Sequence, residues 1–112
     1  MKKTEMLKKN YEYKRVLTKG KYYSGKYIEA FIKTNNNNKN FLGIAIGVKI
    51  AKAVKRLIRE NYKNLEEKVN SGNTVVFLWK KKIDIKNANY KNIKQDMEDI
   101  FHKSKLFIEE KK

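Results

Sequence analysis

Three side chains near the C-terminus are of the kind that hold a metal or move a proton: Asp96, Asp99 and His102, each three residues from the next. A protein nuclease needs such groups, either carboxylates sharing a metal or a histidine working with an acid. On a helix, residues three apart are offset by about 60°, so Asp96 and His102 diverge by about 120° and do not converge on one ion. The series reads instead as charge neutralisation on a surface helix. Glu66-Glu67 and Glu109-Glu110 are adjacent pairs, which do not face each other on a helix. His102 is the sole histidine, and there is no cysteine, Gly-rich phosphate loop or Ser/Cys nucleophile motif. The chain is expected to carry no catalytic residue, no metal site and no disulfide of its own.

What it has in excess is positive charge. Against 12 acidic residues stand 28 Lys and Arg, a formal net charge of +16. That charge strains a compact state by self-repulsion and is relieved by a polyanion. An aromatic content of 12% argues against a disordered basic tail, so the reading is a folded basic domain with a nucleic-acid partner. The cations are spread along the chain rather than set beside a hydrophobic anchor, which speaks against a membrane partner. The basic N-terminus lacks the apolar stretch of a secretory signal, and the run from Phe41 to Val48 is too short to span a bilayer. A cytoplasmic protein of one domain, residues 1–112, is expected.

The densest cationic signal lies in mid-chain. Over a helix expected from about Ala51 to Val69, Lys52, Lys55, Arg56, Arg59 and Lys63 project within about 100° of one another. Ile50, Val54, Leu57, Ile58 and Leu65 fall on the opposite side. No acidic residue between Lys52 and Arg59 offsets the like charges, each pair of which costs about 0.2–0.5 kcal/mol. A solvated face would explain a lysine-rich stripe, but a phosphate-binding ridge explains it better.

The elements that must position this ridge follow from turn signals and periodicity. A first helix is expected with Asn10 as its cap and Gly20 at its end, its apolar face formed by Tyr13, Val16 and Leu17. Strands are expected over Lys26–Lys33, Phe41–Lys49 and Thr74–Trp79, with Asn35–Asn40 as a surface loop between the first two. A last helix runs from about Asn89 to Lys105, with Tyr90, Ile93, Met97, Ile100 and Phe101 facing the core. The sum is an α+β two-layer sandwich in the order helix, strand, strand, optional strand, helix, strand, helix. The basic helix is the crossover of a strand–helix–strand unit joining parallel strands of a central sheet.

Several of these segments resemble the bacterial ribonuclease P protein component. Leu7-Lys8-Lys9-Asn10 with Tyr13, Val16 and Gly20 is similar to the family's opening, and Leu42-Gly43-Ile44-Ala45-Ile46 to its strand after the variable loop. Lys49-Ile50-Ala51-Lys52-Ala53-Val54 resembles its K-[IV]-G-N-A-V segment, and Lys55-Arg56-Leu57-Ile58-Arg59-Glu60 its K-R-L-[IL]-R-E helix. The likeness covers roughly Met6 to Phe107. An Arg-Asn-Arg signature that docks on the catalytic RNA in the family is missing here, where Val54 runs directly into Lys55-Arg56.

The resemblance implies a sandwich with a left-handed crossover, a catalytic RNA subunit and precursor tRNA as partners, and cleavage by RNA-bound Mg²⁺ rather than by protein groups. It implies no membrane, no small-molecule substrate and no cofactor bound by the protein alone. Lys49, Lys52, Lys55, Arg56, Arg59 and Lys63 are then the RNA-binding residues of the basic helix. A groove between the first helix and the sheet is implied for the single-stranded 5′ leader, with Tyr13, Arg15, Leu17, Tyr27, Phe31 and Phe107 as its candidates. Any base can stack on a ring there, at about 1–3 kcal/mol, without its identity being read. For Tyr13, Phe31 and Phe107 core packing competes with stacking, and a general RNA-binding or ribosome-associated domain without a catalytic RNA competes with the whole reading.

Overall fold

A computed structural model of the chain describes residues 4–47 and 51–108. Lys49 and Ile50 lie outside them. The chain runs through β1 (Thr4–Met6), α1 (Asn10–Lys19), β2 (Lys21–Ser24), β3 (Ile28–Thr34), β4 (Asn40–Ile44), α2 (Ala51–Leu65), β5 (Asn73–Trp79) and α3 (Tyr90–Lys103). One five-stranded sheet has the order β1-β4-β5-β3-β2. β1, β4 and β5 are mutually parallel neighbours, while β3 runs antiparallel to β5 and β2. The α+β class and the crossover of α2 between parallel β4 and β5 are as the sequence implies, but helices on both faces of the sheet make three layers rather than the expected two.

The sheet sorts its residues by alternation. Ile28, Ala30 and Ile32 of β3, Leu42 and Ile44 of β4, and Val75, Phe77 and Trp79 of β5 point to one face. There they join Val54, Ile58, Tyr62 and Leu65 of α2 and Ile93, Met97, Ile100 and Phe101 of α3 in the main core. The other face carries α1, where Leu7, Val16 and Val76 form a smaller buried cluster. β5 sits mid-sheet under helices on both faces, which is why its Thr74–Phe77 stretch is buried without alternation.

Asp96 departs from the surface role its spacing suggested. It is 5% exposed, and its carboxylate accepts the backbone N–H groups of Lys26, Tyr27 and Ile28 at 3.0, 2.6 and 2.9 Å. The turn between β2 and β3 wraps so tightly on it that a Cβ on Gly25 would lie 2.7 Å from its Cγ. Asp99 is exposed and paired with Lys103 at 2.8 Å, and His102 lays its ring against Phe107.

Other expectations shift for physical reasons. Asn10 is the first residue inside α1 rather than its cap; Lys9 holds the cap position, with no side-chain bond. Gly20 has an ordinary φ of −76°, and its glycine is required by packing, since a Cβ there would stand 2.6 Å from the Val16 carbonyl oxygen. Tyr90 is exposed rather than core, its hydroxyl accepting from Asn64 at 2.6 Å. The short edge strands β1 and β2 went unassigned in the sequence.

Candidate nucleic-acid interface

α2 separates its two sides cleanly. Val54, Ile58, Asn61, Tyr62 and Leu65 are buried, whereas Lys52, Arg56, Arg59 and Lys63 are exposed and Lys55 is half-buried. Among the described residues the ridge has one ion pair, Arg56 to Glu60, at a loose 3.9 Å on the helix surface. Exposed pairs of this kind contribute little. The first turn of α2 contains no carboxylate, so Lys52 sits at the positive end of the helix dipole, where an anion is favoured. The helix continues unbroken through Val54 and Lys55, where the Arg-Asn-Arg signature is absent.

Tyr62 locks this helix to the sheet edge. It is fully buried, with its hydroxyl 2.8 Å from Thr4 Oγ1 on β1. Burial raises its pKa, working against hydrogen bonds to Thr4 and Asn40. Asn61, buried beside it, donates to the Leu57 and Tyr90 carbonyls and so ties α2 to α3. Both residues look polar in the sequence, which is why the apolar stripe missed them.

The opposite sheet face is built in three rungs across β3, β5 and β4. The first holds Lys33, Thr74 and Phe41, the second Phe31, Val76 and Gly43, and the third Glu29 and Leu78, with Ala45 just beyond the end of β4. α1 lies over the middle rung, Val16 packing on Val76 and Tyr13 on Gly43. Around the helix, Tyr13 and Leu17 flank Val16 on one side and Glu12 and Arg15 on the other.

The six groove candidates therefore do not form one site. Tyr13, Leu17 and Phe31 come together, partly buried against the α1 cluster. Beside them Tyr22, which the sequence reading passed over, is 52% exposed, tilts against Phe31 at 5.2 Å and donates to Glu29 at 2.5 Å. Arg15 is exposed on the other flank. Tyr27 precedes β3 and stacks on Trp79 at 6.5 Å at the margin of the main core. Phe107 follows α3 and packs on Phe101 and His102, also on the α2/α3 side. Both rings are partly buried against the main core, each after a turn that returns the chain to it.

The structure adds a cationic corner. The Asp96-bound turn brings Lys26 over the Tyr27 ring at 5.4 Å, and Tyr27 O accepts the backbone N–H of Lys80, which opens Lys80-Lys81-Lys82. Three consecutive lysines were a usable sequence signal, hidden by the lysine-rich background. No three His, Asp or Glu side chains converge on a metal-sized site among the described residues, and no helix there is long and apolar enough to cross a membrane.

Known proteins agree with this arrangement. The model of the family described as Ribonuclease P matches residues 1–105. The ribonuclease P protein component of Clostridioides difficile is 30% identical, covering 95% of this chain and 96% of its own. That of Clostridium botulinum (strain Langeland) is 31% identical, covering 94% and 98%. The folds of the Staphylococcus aureus and Thermotoga maritima RNase P proteins superpose with TM-scores of 0.78 and 0.75 at 20% and 18% identity, covering 92% and 95% of this chain and 97% and 99% of theirs. With its parallel crossover, its basic helix and a match along nearly its whole length, the chain belongs to the ribonuclease P protein component family.

Proposed function

We propose that this chain is the protein subunit of a cytoplasmic ribonuclease P, binding the catalytic RNA through the α2 ridge and the single-stranded 5′ leader of precursor tRNA along the Tyr13 flank of α1. The observation that carries this reading is the α2 ridge: four exposed cations and a half-buried fifth, with one loose carboxylate partner between them. Such a row costs stability in the free protein and is repaid when phosphates take the place of counterions. On the opposite face Tyr13, Phe31 and Tyr22 offer partly exposed ring surface, suited to unpaired bases of any identity. The two faces would place the protein between two RNAs. Cleavage would then be the work of the RNA with its Mg²⁺, the protein raising affinity for leader-bearing substrate and for metal.

The deciding experiment combines purified protein, cognate catalytic RNA and precursor tRNA at low Mg²⁺. Cleavage at the mature 5′ end that depends on added protein is expected. A reading as a general RNA-binding domain would instead give equal affinity for leader-bearing and mature tRNA and no rescue of cleavage.

A further inference from the structure

The flank of α1 away from Tyr13 carries a groove of its own. About 400 Å³ in volume, it runs over the first rung, with Val16 and Phe41 in its floor and Arg15 and Lys33 as its cations. Among the described residues Arg15 is exposed and makes no ion pair, and Glu12 is the one carboxylate in the lining. The far wall is the asparagine loop, whose residues divide the labour. Asn35 anchors it: its backbone N–H donates to Gly72 O at 2.8 Å, its Oδ1 accepts from Asn37 N at 2.8 Å, and its Nδ2 donates to Thr74 Oγ1 at 3.1 Å. Asn40 is buried and caps the neighbouring turn by accepting from Asn73 N at 2.9 Å. Gly72, at φ +88°, lets that turn close against the Asn37 carbonyl. Asn36 and Asn37 are left at the rim, exposed, with no hydrogen bond to their carboxamides among the described residues. The wall is fixed at its base and offers free hydrogen-bonding groups at its tip.

We propose that this groove is a second subsite for single-stranded RNA, taking the continuation of the same leader strand that lies along the Tyr13 flank; it rests on the function proposed above. The lining matches the three parts of an unpaired nucleotide. Arg15 and Lys33 suit the phosphate, the half-buried Phe41 ring suits a base face, and the carboxamides of Asn36 and Asn37 suit a base edge. A duplex keeps its base edges in its grooves and would present only phosphates here. Continuity selects the strand: the groove and the Tyr13 flank lie on the same sheet face, and Thr74 in the groove and Leu78 on the Tyr13 side are four residues apart on β5, or about 13 Å. A strand leaving the Tyr13 flank has only to round the ten-residue α1 to enter the groove.

The test uses the reconstituted ribonucleoprotein and precursors whose leaders lengthen stepwise. Wild type should bind more tightly as the leader grows. The double variant Arg15→Gln/Lys33→Gln, first shown by thermal melting to be folded, should lose the part of that gain contributed by the longest leaders. Its salt slope for a long leader should be shallower by about 1.4, two single-strand phosphates at about 0.7 each. The variant Asn36→Ala/Asn37→Ala should weaken long-leader binding with the slope intact. Equal weakening at every leader length would overturn the proposal in favour of a contact to the catalytic RNA, and a double variant that tracks wild type throughout would overturn it outright. Wild type that binds mature and leader-bearing tRNA alike would remove the proposed function itself, a result distinct from either.

Discussion

α1 and α2 are both amphipathic helices laid on the same sheet, yet they are held very differently. α2 sinks Val54, Ile58, Tyr62 and Leu65 into a continuous core shared with α3, while α1 buries Val16 alone and leaves Tyr13 and Leu17 half covered. A helix anchored that deeply can present a row of repelling cations without tilting, because the row's cost is spread over a large buried area. A helix held by one valine leaves open sheet on both flanks. The same scaffold thus presents a cationic ridge on one face and, on the other, a groove and an aromatic flank on either side of α1.

The largest test of this contrast is truncation on each side. Phe101→Ala, in the α2/α3 core, should cost about 3–5 kcal/mol, and Leu17→Ala under α1 less than about 2 kcal/mol. Urea midpoints measure both, and equal losses would break the comparison. Next comes Asp96→Asn, in which an amide replaces an acceptor of three backbone N–H groups. A loss of about 2–3 kcal/mol is expected, with faster hydrogen exchange at Lys26, Tyr27 and Ile28. A smaller loss, about 1 kcal/mol, is expected for Tyr62→Phe from the bond to Thr4. This variant also has a pH signature. With its pKa raised in the fold, the protonated Tyr62 contributes stability that is fully present below the unfolded value of about 10 and is lost as pH rises above it. The wild-type advantage over Tyr62→Phe should therefore shrink in alkaline melts. The smallest effect on the fold belongs to Arg59→Gln, which should leave the melting temperature in place. It should make the salt slope of RNA binding shallower by nearly one unit; an unchanged slope would mean that the ridge does not meet phosphate.

The strength of each local pattern decided what could be read from the chain alone. α2 was legible because fifteen residues repeat the period four times, and both faces agree. β3 and β5 were legible by their branched and aromatic runs. β1 and β2, of three and four residues, carry too few alternations to register, and they gain their place by pairing with strands far away. Site residues were legible by chemistry but not by side. Tyr13 and Phe31 meet because a helix and a strand each fix direction, whereas Tyr27 and Phe107 follow irregular turns whose direction only the folded chain settles. Asp96 was misread because the three amides that claim it lie 68–70 residues away.

Gly43 sets a height. A Cβ at that point of β4 would come within 2.6 Å of the Tyr13 ring and 2.9 Å of Leu7, so the bare backbone is what lets α1 ride low over the second rung. Glycine inside a strand ordinarily weakens it, and here the weakness is exchanged for clearance. Any larger residue would act as a shim, jacking the helix away from the strands and deepening the channel on its Arg15 flank. Evolution could thus retune that channel with a single methyl group, without altering any residue that lines it.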